Sequence, residues 1–233
     1  MFRFNDKVED LFTPTMEGVT KERFSYLVGH RQSMPADKVM QNLLGGLALG
    51  EGEHLLVMCS GVNHTRHIHA NHKQSFDVIL GSLTTEQAPL EHWATYMATV
   101  MTNIKAAGTK VGAVILDGVI DPYVEALAVA ALNKKHDMPN PINLFYRQMR
   151  GLVCALNELP LIVRHPLRHD SVLPSYHMTE LVRYGWYLGS RSLDQEFDAA
   201  ALIYEEGDDV MAVRGKLRGD TLPVGEQPRR VKL

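Results

Sequence analysis

Val111-Gly112-Ala113-Val114-Ile115-Leu116, closed by Asp117-Gly118, is the stretch on which the fold turns. It is an unbroken apolar run with no polar alternation, so both of its faces must be covered, as in the interior strands of a parallel sheet. Two further runs share this character: His54 to Cys59, with Leu55-Leu56-Val57-Met58 inside it, and Leu159 to Val163. Phe76 to Leu80 reads as another strand. Helical spacing fills the gaps. Leu90, Trp93, Ala94, Met97, Val100, Met101 and Ile104 lie on one face of a helix over Thr85 to Ala107, which Gly108 stops. Ile142, Phe145, Met149, Leu152, Val153 and Leu156 mark a second helix, from Pro141 to Asn157. Further helices are expected from Pro35 through Leu47, from Asp121 to about Lys135, and from His177 to Leu188. Phe197 to Tyr204 and Val210 to Leu217, joined by an acidic turn, read as a hairpin. Strands separated by long helices need crossover connections. The expected class is therefore α/β, a mostly parallel central sheet flanked by helices, with a C-terminal antiparallel hairpin at the edge.

Composition agrees with a globular chain of 233 residues, 45% hydrophobic and 22% charged. One domain is expected over residues 1–217, followed by an extended basic tail over 218–233 that carries Arg218, Arg229, Arg230 and Lys232 among Gly and Pro. The 24 basic and 27 acidic side chains leave a net charge of −3, which gives no general field for a nucleic acid or an anionic membrane. No run is long and apolar enough to span a bilayer, and the first residues mix acids with apolar side chains, unlike a secretory signal. Cys59 and Cys154 sit in apolar surroundings and read as reduced core thiols, so a cytoplasmic setting is expected.

Chemistry concentrates in one loop. His64, His67, His69 and His72 fall within nine residues, and His67 and His69 share a side of an extended chain, so their imidazoles can chelate one ion. Zinc, manganese and iron all suit such ligands. His67-Ile68-His69-Ala70-Asn71-His72 resembles the HxHxDH signature of metallo-β-lactamase-fold hydrolases, with Asn71 in the aspartate position. With Gly61, Gln74 and Gly81 the same HxH also resembles the first cupin motif. The two folds are incompatible, and no family is assigned.

Arg66 and Lys73 in that loop are cations suited to a phosphate ligand. In parallel sheets ligands bind at the carboxyl ends of strands, and there the chain delivers Cys59-Ser60-Gly61 with the histidine loop, Asp117-Gly118, and His165 to Asp170. Asp117 can ligate a metal or act as a base, while Arg168 and His169 can contact a substrate anion. There is no GxSxG nucleophile elbow and no Walker lysine. The expectation is a metal-assisted hydrolase, in particular a phosphoesterase, acting on a small anionic substrate. A histidine-bound divalent ion would activate water, with Asp117 and His169 catalytic and Arg66, Lys73 and Arg168 binding substrate. The alternative is a non-enzymatic assembly subunit that uses its loops and basic tail for protein contacts. Homo-oligomerisation through the tail is expected, and neither a membrane nor a nucleic acid is indicated as partner.

Overall fold

The computed structural model describes residues 3–4, 25–30, 34, 39, 47–59, 77–82, 92–120, 140–167, 187, 193–217 and 230–232. Its strands are β1 (Arg3–Phe4), β2 (Ser25–His30), β3 (Leu47–Ala48), β4 (Glu53–Cys59), β5 (Asp77–Ser82), β6 (Lys110–Asp117), β7 (Leu161–Pro166), β8 (Ala199–Glu206), β9 (Asp209–Leu217) and β10 (Arg230–Lys232). Helix α1 spans Trp93–Ala106 and α2 spans Pro141–Arg150.

Eight strands form one sheet in the order β10-β9-β8-β2-β7-β6-β4-β5, and β1 pairs with β3 in a separate two-stranded ribbon. From β5 across to β8 all neighbours are parallel, whereas β9 is antiparallel to both β8 and β10. A mostly parallel sheet with an antiparallel C-terminal edge is what the apolar runs call for. The run at Val111 is the interior strand β6, hydrogen-bonded in parallel to β4 and β7. Ile162 and Val163, from the run at Leu159, lie inside β7 and are fully buried.

Alternation along the strands divides the core in two. Leu27, Leu56, Met58, Val114, Leu116, Leu161 and Val163 face α1 and α2, where Trp93, Met97, Phe145, Tyr146 and Met149 cover them. Tyr26, Val28, Leu55, Val57, Ala113, Ile115 and Ile162 face the other way, onto Met34, Val39 and Leu47. Trp93 and Tyr146 are among the largest fully buried side chains, and truncating a residue of that size to alanine costs ~3–5 kcal/mol.

Helix α2 starts where its sequence says it should. The Asn140 side chain accepts a hydrogen bond from the Ile142 backbone N–H at 2.9 Å, and Pro141 stands at the first helical position, where no N–H is needed. The helix then widens into a π-helical segment, Gly151–Leu156, rather than continuing as α to Asn157. Helix α1 ends at Gly108, whose φ of +73° is the left-handed conformation that glycine adopts without strain.

At the amino ends of the strands a polar clasp sets β8 beside β2. The Asp198 carboxylate accepts from the backbone N–H of Ser25 at 3.0 Å and from its hydroxyl at 2.9 Å, while Arg150 donates to the same carboxylate at 3.3 Å. Arg147 grips Glu196 through two hydrogen bonds, of 2.9 and 2.7 Å.

Several expectations change here. Leu47, assigned to a helix from Pro35, lies in β3. Tyr187, expected in a helix, forms an antiparallel bridge with Leu167. The central strand β2 has no counterpart among the expected strands. The chain past Leu217 is not wholly a loose arm, because Arg230–Lys232 pairs with Met211–Val213 and Lys232 forms an ion pair with Asp209 at 2.5 Å. The expected helix over Asp121 to Lys135 lies outside the described residues.

Candidate functional site

Neighbouring strands β4 and β6 send the chain in opposite directions, β4 outward to β5 and β6 back to β7. The crevice outside their carboxyl ends is the topological switch point, where ligands of open α/β sheets bind. Cys59 ends β4 and Asp117 ends β6, and the two are register partners. Asp117 is in turn the partner of Arg164 on β7, and His30 ends β2 one strand further along.

Alternation puts Cys59, Asp117, Arg164 and His30 on one face of the sheet, so four adjacent strands present a row of polar side chains at one edge. The row is buried: Asp117 and Arg164 are each 2% exposed and His30 4%. Such charges are tolerated inside only when paired. Arg164 Nε donates to an Asp117 carboxylate oxygen, and Arg164 Nη1 donates to His30 Nε2 at 2.7 Å. A guanidinium can only donate, so His30 accepts at Nε2 and carries its ring proton on Nδ1. At the other end of the row the Cys59 thiol donates to the Gly81 carbonyl at 3.6 Å. Burial, reinforced by the Asp117 negative charge, pushes that thiol up to about 12, which makes it a poor nucleophile.

His165, next along β7, points to the opposite face. It is fully buried, with its Nδ1 3.2 Å from the Tyr146 hydroxyl and its ring beside Tyr187. Burial raises the Tyr187 phenol well above its ordinary value. Tyr187 also explains Gly29, since a β-carbon at that position would lie 3.0 Å from Tyr187 Cε1.

Of the residues expected to carry chemistry, Asp117 is described and sits at the switch point. His64, Arg66, His67, His69, His72, Lys73, Arg168 and His169 all lie outside the described residues. Arg164 and His30 are not among the expected site residues. Arg164 reads in sequence as loop rather than strand, and His30 ends a strand whose short Ser-Tyr-Leu-Val-Gly-His run carries little apolar signal.

No protein-family model and no curated protein matches this sequence. Among solved structures the chain is similar to an ATPase domain, with a TM-score of 0.56 and 13% identity over 92% of this chain and 82% of that one. The likeness agrees with the α/β class: this chain folds like that domain. This corrects the reading as a metal-assisted hydrolase or phosphoesterase: the solved domain that shares the fold is an ATPase domain, not a metal-dependent phosphoesterase. Among the described residues no group of three or more His, Cys, Asp or Glu side chains could hold a metal ion, and the histidine cluster itself lies outside those residues. Among those residues, too, no helix is long and apolar enough to cross a membrane.

Proposed function

We propose that this chain is a nucleoside-phosphate-binding domain whose ligand sits at the carboxyl edge of β2, β4, β6 and β7. The observation that carries this reading is the row of Cys59, Asp117, Arg164 and His30 at the switch point, polar side chains buried at the carboxyl ends of four adjacent strands with an ion pair among them. Burying an ion pair is a poor way to gain stability, so its place at the ligand-binding edge argues for a role there. Similarity to an ATPase domain over nearly the whole chain supplies the class of ligand. The small anionic molecule expected from sequence is, in this reading, a nucleotide. Arg66, Lys73 and Arg168 follow β4 and β7 in the chain and are the candidate phosphate contacts. Copies of the chain associate through residues 218–233, whose strand β10 lies at the sheet edge.

Thermal protection tests the reading. A ligand that binds only the folded state stabilises it by ~2.7 kcal/mol at a hundred times its dissociation constant. ATP and ADP should raise the melting temperature in proportion to the logarithm of concentration, and the phosphate-free nucleoside should do so far less. A melt that no nucleotide moves contradicts the assignment.

A further inference from the structure

P-loop ATPases hold Mg²⁺ between a hydroxyl of the phosphate loop and an acidic residue at the end of a neighbouring strand. The residues present here do not fit that ion. Asp117 has the strand-end position, yet its carboxylate is engaged by the Arg164 guanidinium, and both side chains are almost fully buried, at 3% and 2% exposure. Arg164 is held from its other end by His30. A divalent ion at Asp117 would meet a fixed positive charge in a low-dielectric setting, where like charges repel strongly. The sequences that follow the neighbouring strands are also unsuited. Counted from Gly61, after β4, at the GxxxxGK[ST] spacing, Arg66, His67 and Ile68 stand where the motif takes glycine, lysine and the hydroxyl. Counted from Gly29, at the end of β2, those places fall to Met34, Pro35 and Ala36, and Lys38 is the first lysine after Gly29.

We infer that Arg164 is the resident cation of this site: it occupies Asp117 in place of a divalent ion, and the domain takes its nucleoside phosphate without a metal at Asp117. The inference rests on the nucleotide-binding reading for its ligand but on the Asp117–Arg164–His30 row for its metal independence. It assigns the domain to binding rather than hydrolysis, because the strand-end carboxylate that would hold the charge-neutralising metal is taken by Arg164.

Two measurements decide it. Mn²⁺ alone is titrated into the full chain and into Asp117→Asn, with free ion followed by electron paramagnetic resonance. The expected isotherms superimpose, whatever other side chains bind the ion. A site present in the wild type and missing from Asp117→Asn overturns the inference. If Asp117→Asn does not fold, Asp117→Asn/Arg164→Met, which removes both charges of the pair, takes its place in the comparison. Separately, a fluorescent nucleoside diphosphate is titrated into wild type in Mg²⁺ and in EDTA. Affinities within about threefold support a metal-free site, and a loss of more than about tenfold in EDTA overturns it, a tenfold change being ~1.4 kcal/mol. Absence of nucleotide binding in both buffers refutes the proposed function instead, with the Mn²⁺ comparison still deciding what Asp117 holds.

Discussion

Replacing Asp117 by asparagine separates a carboxylate held ready for a metal from one locked in an internal ion pair. The two cases predict opposite signs. A carboxylate waiting for a cation is an uncompensated charge, and its neutralisation relieves the metal-free protein. In this structure the Asp117 carboxylate compensates Arg164, whose side chain is 2% exposed, so asparagine removes the negative charge paired with a buried guanidinium. Breaking a buried pair by removing one partner costs ~3–5 kcal/mol. For a domain of this size each kcal/mol lowers the melting temperature by about 2–4 °C, which gives a fall of roughly 6–20 °C. Urea unfolding followed by circular dichroism measures the free energy directly. Arg164→Met placed in the Asp117→Asn background should restore most of the loss, since removing both charges of a buried pair is often close to neutral. An Asp117→Asn variant as stable as wild type, or more so, refutes the pairing as the state of the protein in solution.

Asp198→Ala removes the acceptor of two Ser25 hydrogen bonds and of the Arg150 contact, and should cost about 2–4 kcal/mol in urea unfolding while leaving nucleotide binding unchanged. Cys59 and Cys154 are both pushed up to about 12, chiefly by burial, so neither should react with iodoacetamide in the native protein at pH 8, and both should react once urea unfolds it. Because their folded values lie above the unfolded ones, the two thiols contribute stability that is intact below about pH 8.5 and is lost as pH rises from there toward about 12, which melts across that range will register. Truncation before Thr221 removes the three-residue edge strand β10 and should keep a cooperative melt, because β8 and β2 still flank the core. The same truncation uncovers the edge of β9 and should change the mass measured by light scattering if copies associate there.

The parts of the fold legible in the sequence are those where burial on both faces leaves an unbroken apolar run. Val111 to Leu116 and Leu55 to Met58 gave strands because no alternative explains four or more consecutive apolar residues between turn signals, and Asn140-Pro141 gave a helix start through cap chemistry alone. The strand β2 stayed hidden because Ser25 and His30 at its ends are polar for reasons outside the segment. Ser25 is tied to Asp198, and His30 to Arg164, over separations of 173 and 134 residues. A periodicity argument sees only neighbours along the chain. The same limit concealed the site. Asp117 could be placed at a strand end, but its partner 47 residues away is brought to it by sheet order, and nothing local announces that β6 and β7 are adjacent. The density of histidines between residues 64 and 72, conspicuous in one dimension, points toward metal chemistry, and it falls on a stretch outside the described residues.

Isothermal titration of the full chain with ADP and ATP, in buffer without divalent ions, bears most directly on the central claim that the carboxyl edge of this sheet holds a nucleoside phosphate. The account predicts saturable binding of one nucleotide per chain, competed by the other nucleotide and weakened by substitution of Arg66, Lys73 or Arg168. Titrations that show no saturable heat up to about millimolar nucleotide, where even a ~4 kcal/mol interaction would register, contradict it.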